Sequence, residues 1–210
     1  NFTCPGCVSE ILTRMTDELA PAMKKFTPHD VVAQAQTLNC QGIAFCMNEP
    51  VVAYPTFQSL ARMAHEQGLL IAFSTNGYLS ADSLAGLLPY IDGVSVGIKG
   101  ITDSAYRSCG VPSAAPVFRT IQTLVEHNIH VEVSLVHMRG NEEEVLTAAE
   151  KVALISPHIP VQIMRFIAFG TADLWQEPSI HESESLCETL RKKLPFVYLF
   201  NSPGSEYLDT

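Results

Sequence analysis

The sequence predicts an α/β fold of parallel strands with outer helices, and three observations carry that prediction. Short runs rich in valine, isoleucine and phenylalanine recur along the chain, and helical patterns fill the intervals between them. The equivalent apolar positions Ile43, Ile71, Val94, Val131, Val161 and Val197 recur at roughly the 30-residue pitch of repeated βα units. The runs are apolar nearly throughout, as expected of a parallel sheet covered by helices. An open doubly wound sheet and a barrel both satisfy this pattern, and in both the chemistry gathers at the C-terminal ends of the strands.

Taken in order, residues 8–38 read as two helices, "VSEILTRMTDELA" and "TPHDVVAQAQTL", with a turn around Lys24 to Pro28. Strands are predicted at "GIAF" (42–45), "LLIAF" (69–73), "GVSVGI" (93–98), "HVEVSLV" (130–136), "VQIMRF" (161–166) and "FVYLF" (196–200). Helices are predicted at "TFQSLARMAHEQG", closed by its glycine, and at "SADSLAGLLPY", opened by a serine cap. Three more follow at "SAAPVFRTIQTLVEHN", "NEEEVLTAAEKVALI" and "SIHESESLCETLRKKL". Polar groups follow five successive strands: Cys46 to Pro50, Ser74 to Gly77, Lys99 and Gly100, His137 to Gly140, and Arg165.

Residues 1–210 show no linker and no repeat beyond the βα period, so they are read as one domain. Apolar residues make up 47% and charged residues 17%, enough to bury a full core. No stretch approaches the roughly 20 apolar residues of a membrane span, and the first residues lack the pattern of a signal peptide. A cytoplasmic protein is expected. A net charge of -9 without a basic cluster argues against nucleic acid or an anionic membrane as partner.

Six irregularly spaced cysteines without a secretory signal fit reduced thiols or metal ligands better than a disulfide framework. Cys4 and Cys7 in "NFTCPGC" form C-x2-C, a spacing that lets two thiolates face one metal. Zinc, a redox dithiol and an iron-sulfur centre all use it. Cys40, Cys46, Cys109 and Cys187 lie in four separate segments and are read as small core residues, and His130 and His137 as structural histidines.

A cysteine immediately before Asn1 would complete C-x3-C-x2-C, the cluster loop of the radical S-adenosylmethionine superfamily. The resemblance continues in "GIAFCMNEP", "FSTNGYLS", "GVSVGIKGITDSAYRSCG", "HVEVSLVHMRGNEEE", "VQIMRFIAF" and "YLFNSPGSEYLDT", in the family's order. These segments are similar to the branch that contains pyruvate formate-lyase activating enzymes and the AmmeMemoRadiSam proteins. The resemblance implies a partial (βα)6 TIM-like barrel with parallel strands and outer helices, its first strand absent from this chain. It also implies that residues 1–7 form a cluster-binding loop. On this reading the sequence is an internal piece, with a cysteine before Asn1 and further cysteines soon after Thr210.

The same resemblance implies a [4Fe-4S] cluster held by Cys4 and Cys7 and S-adenosylmethionine as cofactor, in an anaerobic oxidoreductase. The expected partners are an electron donor such as flavodoxin or ferredoxin and a protein or peptide substrate. Asn48, Glu49 and Pro50 stand where the family binds the methionine amino group, although Pro50 alone would also fix a surface turn. Thr75 and Asn76 would face the ligand, with Gly77 allowing close approach of the backbone; a strand-to-helix turn needing positive φ is the alternative. Lys99 ends an apolar strand and would contact a carboxylate, but Gly97 stands where the family has an acidic partner for it. Ser134 and Val136 fall on a strand that lines the cofactor pocket, and Arg165 needs an anionic partner if it points inward. Gly6 replaces a residue that is commonly aromatic, so adenine contact would come from Phe45 or Tyr78. Gly6 and Gly97 also suit a non-catalytic βα module that binds a metal or another ligand. Iron and sulfide content discriminates between the two.

Overall fold

The computed structural model describes residues 2–4, 7, 9, 20–168 and 177–208. The helix expected over residues 8–20 falls outside the described residues except for Ser9 and Ala20, and Gly6 falls outside them as well. The first described helix, α1 (Pro28–Thr37), starts at a capping box. Thr27 Oγ1 accepts from the Asp30 amide at 3.2 Å, and the Asp30 carboxylate accepts from the Thr27 amide at 2.9 Å.

Strand and helix then alternate: β1 (Gly42–Phe45), α2 (Tyr54–Glu66), β2 (Leu70–Thr75), α3 (Ala81–Ala85) and β3 (Gly93–Ile98). They are followed by α4 (Asp103–Ser108), α5 (Ala115–Glu126), β4 (His130–His137), α6 (Glu142–Ile155), β5 (Val161–Arg165), α7 (Ile180–Arg191) and β6 (Val197–Phe200). The serine cap expected before α3 is present, with Ser80 Oγ accepting from the Ser83 amide at 3.1 Å. Its helix is shorter than expected: α3 stops at Ala85, and a separate 3-10 turn, Leu88–Tyr90, carries Pro89 near its start. Pro89 supplies no amide to continue an α-helix. The six-residue α4 has no counterpart in the sequence reading; Thr102 caps it, its Oγ1 accepting from the Ala105 amide at 3.1 Å.

All five strand pairings are parallel, and the spatial order follows the chain from β1 to β6. A doubly wound sheet reverses direction at a switch point. This sheet never reverses, which makes the architecture a partial barrel.

The strands differ from the sequence reading in one respect. Only one face is fully buried, as the alternating burial along β4 shows. That face sets Ile71, Phe73, Val94, Val96, Val131, Val133, Val161, Ile163, Val197 and Leu199 against helical residues such as Leu60, Ile121, Leu124, Val152 and Leu190. The opposite face, which becomes the interior of the partial barrel, is half-exposed and carries Ser74, Ser95, Glu132, Ser134 and Gln162. Small and polar residues there leave the interior open rather than filled. Register aligns Ser74, Ser95 and Glu132 across three strands, and Gly97, Ser134, Gln162 and Tyr198 across four.

Candidate functional site

β1 ends at Phe45, and the chain then turns sharply. Met47 adopts φ +75°, a left-handed conformation uncommon for residues other than glycine, and the Asn48 amide donates to the Cys46 carbonyl at 3.0 Å. This turn, with Pro50 starting the 3-10 segment Pro50–Ala53, directs Glu49 toward the end of β2. The Thr75 hydroxyl donates to the Glu49 carboxylate, 2.9 and 3.0 Å from its two oxygens, and the Asn76 amide donates to Oε2 at 2.8 Å. Burial raises the Glu49 carboxyl above the usual carboxylate range, against the opposing pull of the Asn76 amide, the Thr75 hydroxyl and the Val51 amide.

The end of β2 is shaped to hold this arrangement. The Gly77 amide donates to Thr75 Oγ1 at 3.1 Å, and Asn76 Oδ1 accepts from the Tyr78 amide at 2.9 Å. Gly77 has φ +74°, and a Cβ there would stand 2.8 Å from Val96 Cγ1 and 2.9 Å from Val117 Cγ1. The turn reading is met, since Gly77 takes positive φ, and the same turn brings Thr75 and Asn76 to Glu49.

Lys99 follows β3 and is exposed. Its ammonium folds back over Gly97, where a Cβ would lie 2.9 Å from Nζ and 3.5 Å from Ser134 Oγ. The place of the expected acidic partner is thus taken up by the lysine itself, beside Ser134. Val136 lies on the same interior face, and its carbonyl accepts from Asn141 Nδ2 at 3.0 Å.

The loop around Cys4 docks onto this end of the sheet. Phe2 meets Tyr78 and Tyr106 edge-on at centroid distances of 5.5 and 6.1 Å, and the Thr3 amide donates to the Cys109 carbonyl at 2.9 Å. Mutual hydrogen bonding of the thiols draws Cys109 down to about 7, against its burial, and together with burial pushes Cys4 up. The Lys99 charge favours the thiolate at both, and the charge of Cys7 reaches Cys4. Cys109 is buried, as the sequence reading expected, and its backbone also receives the loop at Thr3, a contact the sequence reading did not show. The sequence signal was its place in "YRSCG", just beyond the third strand end.

As a test of fit for an iron-sulfur cluster, this end of the sheet brings Cys4 near Cys109 and Lys99, where the lysine charge favours thiolates and burial opposes them. Among the described residues no group of three histidine, cysteine or acidic side chains is arranged to hold a metal. A complete donor set is therefore not assembled among the described residues, and the ligand role of Cys4 and Cys7 rests on the C-x2-C pattern.

Other expected residues lie elsewhere. Arg165 donates to the carbonyls of Asn201 at 3.0 Å and Pro178 at 3.1 Å, and its anionic partner is Glu177 at 3.9 Å. It fastens the chain after β6 to the end of β5. The Phe45 ring packs edge-on against Phe57 at 4.9 Å on the helix side, away from the strand-end loops, whereas Tyr78 packs against Phe2 of the Cys4 loop. His137 is fully buried between Ser183 Oγ at 2.8 Å and the Glu142 carboxylate at 3.4 Å, in the structural role expected of it. Cys187 is buried on the inner face of α7, its thiol pushed up to about 12 by burial, as a core residue, whereas Cys40 and Cys46 are exposed and are not the core residues they were read as.

A family model described as the radical SAM superfamily matches residues 1–152. An uncharacterised protein of Methanocaldococcus jannaschii is 26% identical over 98% of this chain, which spans 62% of that protein. Among solved structures, a domain of pyruvate-formate lyase-activating enzyme from Bacteroides vulgatus superposes with a TM-score of 0.64 at 16% identity, covering 75% of this chain and 98% of that one. SuiB from Streptococcus suis superposes with a TM-score of 0.73 at 12% identity, covering 95% of this chain and 46% of that one. SuiB has also been solved bound to S-adenosylmethionine and to its precursor peptide SuiA.

Proposed function

Because the chain belongs to the radical SAM superfamily, whose cofactors are a [4Fe-4S] cluster and S-adenosylmethionine, we propose that it generates a substrate radical by hydrogen abstraction. The observation that carries this reading is the Glu49 carboxylate held by Thr75 and Asn76 at the strand ends where Cys4 and Cys7 also sit. When bound, the cluster and S-adenosylmethionine supply one-electron cleavage of a carbon-sulfur bond to methionine and a 5'-deoxyadenosyl radical.

In this proposal Cys4 and Cys7 ligate the cluster within a loop formed by residues 1–7 of a single barrel domain, 1–210. Glu49 accepts from the methionine ammonium. It is already oriented by Thr75 and Asn76, so little reorganisation accompanies binding. Asn48 and Pro50 shape the turn that presents Glu49. Lys99, folded over Gly97 beside Ser134, supplies positive charge for a carboxylate. Val136 lines the interior next to Ser134, and Arg165 holds the chain that follows β6 across the end of β5.

The proposed substrate is a protein or peptide, and the proposed electron donor is a flavodoxin or ferredoxin in an anaerobic cytoplasm. The open, half-polar interior face supports a substrate larger than a metabolite, since it is not closed off by its own side chains. The test is anaerobic reconstitution followed by reduction with dithionite. Stoichiometric iron and sulfide with 5'-deoxyadenosine formation are expected. Cys4→Ala and Cys7→Ala are each expected to lose iron, whereas Cys187→Ala keeps it. Equal iron in all three variants, or none in the parent protein, would favour a non-catalytic βα module, the reading to which Gly97 also lends itself.

A further inference from the structure

We propose that Glu132 selects the substrate by pairing with an ammonium or guanidinium group that the substrate carries on an alkyl chain. That the bound molecule is the substrate rests on the function proposed above; the cation site stands on the strands themselves.

Among the described residues Glu132 is the one acidic side chain in a strand, set between Val131 and Val133 in the middle of β4. Both valines turn to the helix side and are buried, so alternation places the carboxylate on the interior face, where its side chain is 36% exposed. A charge on the inner face of a central strand is costly to enclose without a counter-charge. Yet among the described residues no lysine or arginine pairs with it; Lys99, folded over Gly97 nearer the strand ends, makes no ion pair with it either. Its contacts orient it instead. Gln162 Nε2 donates to Oε2, and His130 Nε2, at the exposed start of the strand, lies 3.3 Å from Oε1. An ionised carboxylate offers about four acceptor positions, so one arriving from the open side still finds free lone pairs.

The neighbouring strands leave room for that arrival. Ser95 of β3 stands beside Glu132 in the register, and Ser74 of β2 stands beside Ser95. Gly93 and Ala72 make the next row toward the strand starts, and a Cβ on Gly93 would meet nothing closer than 3.7 Å. Packing therefore does not require the space beside Glu132 to be empty; the small side chains keep it open. Ser134 lies two residues further along β4, roughly 7 Å nearer the strand ends. Lysine and arginine reach to such a depth on flexible stems, leaving the rest of the substrate at the strand ends where the cofactors are proposed to sit. An acidic side chain of similar length is repelled there, and an apolar one leaves the carboxylate desolvated without a partner.

The experiment titrates the full chain, isotope-labelled and anaerobically reconstituted with iron and sulfide, with a capped Gly-Gly-Lys-Gly-Gly peptide, with its norleucine and glutamate counterparts, and with n-pentylamine. The lysine peptide is expected to bind about tenfold more tightly than the norleucine peptide, with NMR shifts centred on the Ser95, Glu132 and Gln162 amides, and the glutamate peptide to bind most weakly. In Glu132→Gln, whose amide oxygen can still accept from Gln162, the lysine and norleucine peptides should bind equally. Ser95→Leu keeps the charge but fills the space beside it, and should weaken the lysine peptide as well. Both variants are checked for folding by circular dichroism. A lysine preference that survives Glu132→Gln, or no preference in the parent chain, overturns the proposal. Tighter binding of the lysine peptide than of n-pentylamine assigns the cation to a peptide side chain, and equal binding assigns it to a free amine; both uphold the pairing with Glu132. If the parent chain takes up no iron or forms no 5'-deoxyadenosine, the function proposed above fails, while the same titration on the iron-free chain still decides the cation site.

Discussion

Glu49 carries a stability cost alongside the binding role proposed for it, and the two can be separated. Burial raises its carboxyl above the usual range, so between the ordinary and the raised value the folded chain binds more protons than the unfolded one. Stability is therefore lost as pH rises through that window. Glu49→Gln removes this loss, and thermal melts at pH 5 and pH 8 should show a smaller decline for the variant than for the parent. Binding should move the opposite way. Removing a charge-assisted hydrogen bond worth roughly 1.5 to 3 kcal/mol should weaken S-adenosylmethionine binding by about one to two orders of magnitude in Glu49→Ala, with iron content unchanged. Calorimetry showing equal affinity would return Glu49 to a surface turn. Gly77 answers to packing alone: its positive φ and the two valine methyl groups within 2.9 Å leave no room for a side chain. Gly77→Ala should cost about 2 kcal/mol in urea unfolding, and an unchanged midpoint would mean that the turn can relax.

At the scale of elements, the strands were legible in the sequence because each is a short apolar run with a polar residue after it, and five of those polar segments do gather at one end of the sheet. The six-residue α4 was not, because it is too short to show a helical period. The contact of the Cys109 carbonyl with Thr3 was missed for a related reason: no local pattern reports a contact made through the docking of a loop. Arg165 was legible as a cation in need of an anion, but not as one that would find Glu177 and the carbonyls that follow β6. His137 shows how two elements depend on one proton. It ends β4, and Ser183 of α7 and Glu142 of α6 both meet its ring, with the Glu182 charge also reaching it. Burial lowers its pKa, against the raising pull of Glu142. The unfolded chain then binds more protons than the fold just below the ordinary histidine range, so the stability of this junction is present above that range and lost as pH falls. Glu142, held low by backbone amides, acts in the same direction at more acid pH. NMR of the imidazole nitrogens should find His137 titrating below the usual histidine value; titration at that value would show the junction to be open to water.

At the scale of the whole molecule, sequential strand order makes the sheet a ladder with a protected middle and two unlike ends. β3 and β4 each have a neighbour on both sides and pair with one another over six residues. Among the described residues β1 pairs with β2 alone, over four residues, and Ala44 within it is exposed. At the other end the chain folds back on β6, where the Leu199 amide donates to the Tyr207 carbonyl at 2.8 Å and the Arg191 guanidinium lies 4.4 Å from the Tyr207 ring centroid. An edge with free amides and carbonyls opens at lower free energy than the centre of a sheet and is a template for further pairing. Hydrogen exchange on residues 1–210 should therefore find the slowest amides in β3 and β4, intermediate protection in β6, and the fastest strand amides in β1. If β1 is already as slow as β3 in residues 1–210, its edge is covered within this chain or by a second copy of it, and a concentration series in the same experiment separates those two arrangements.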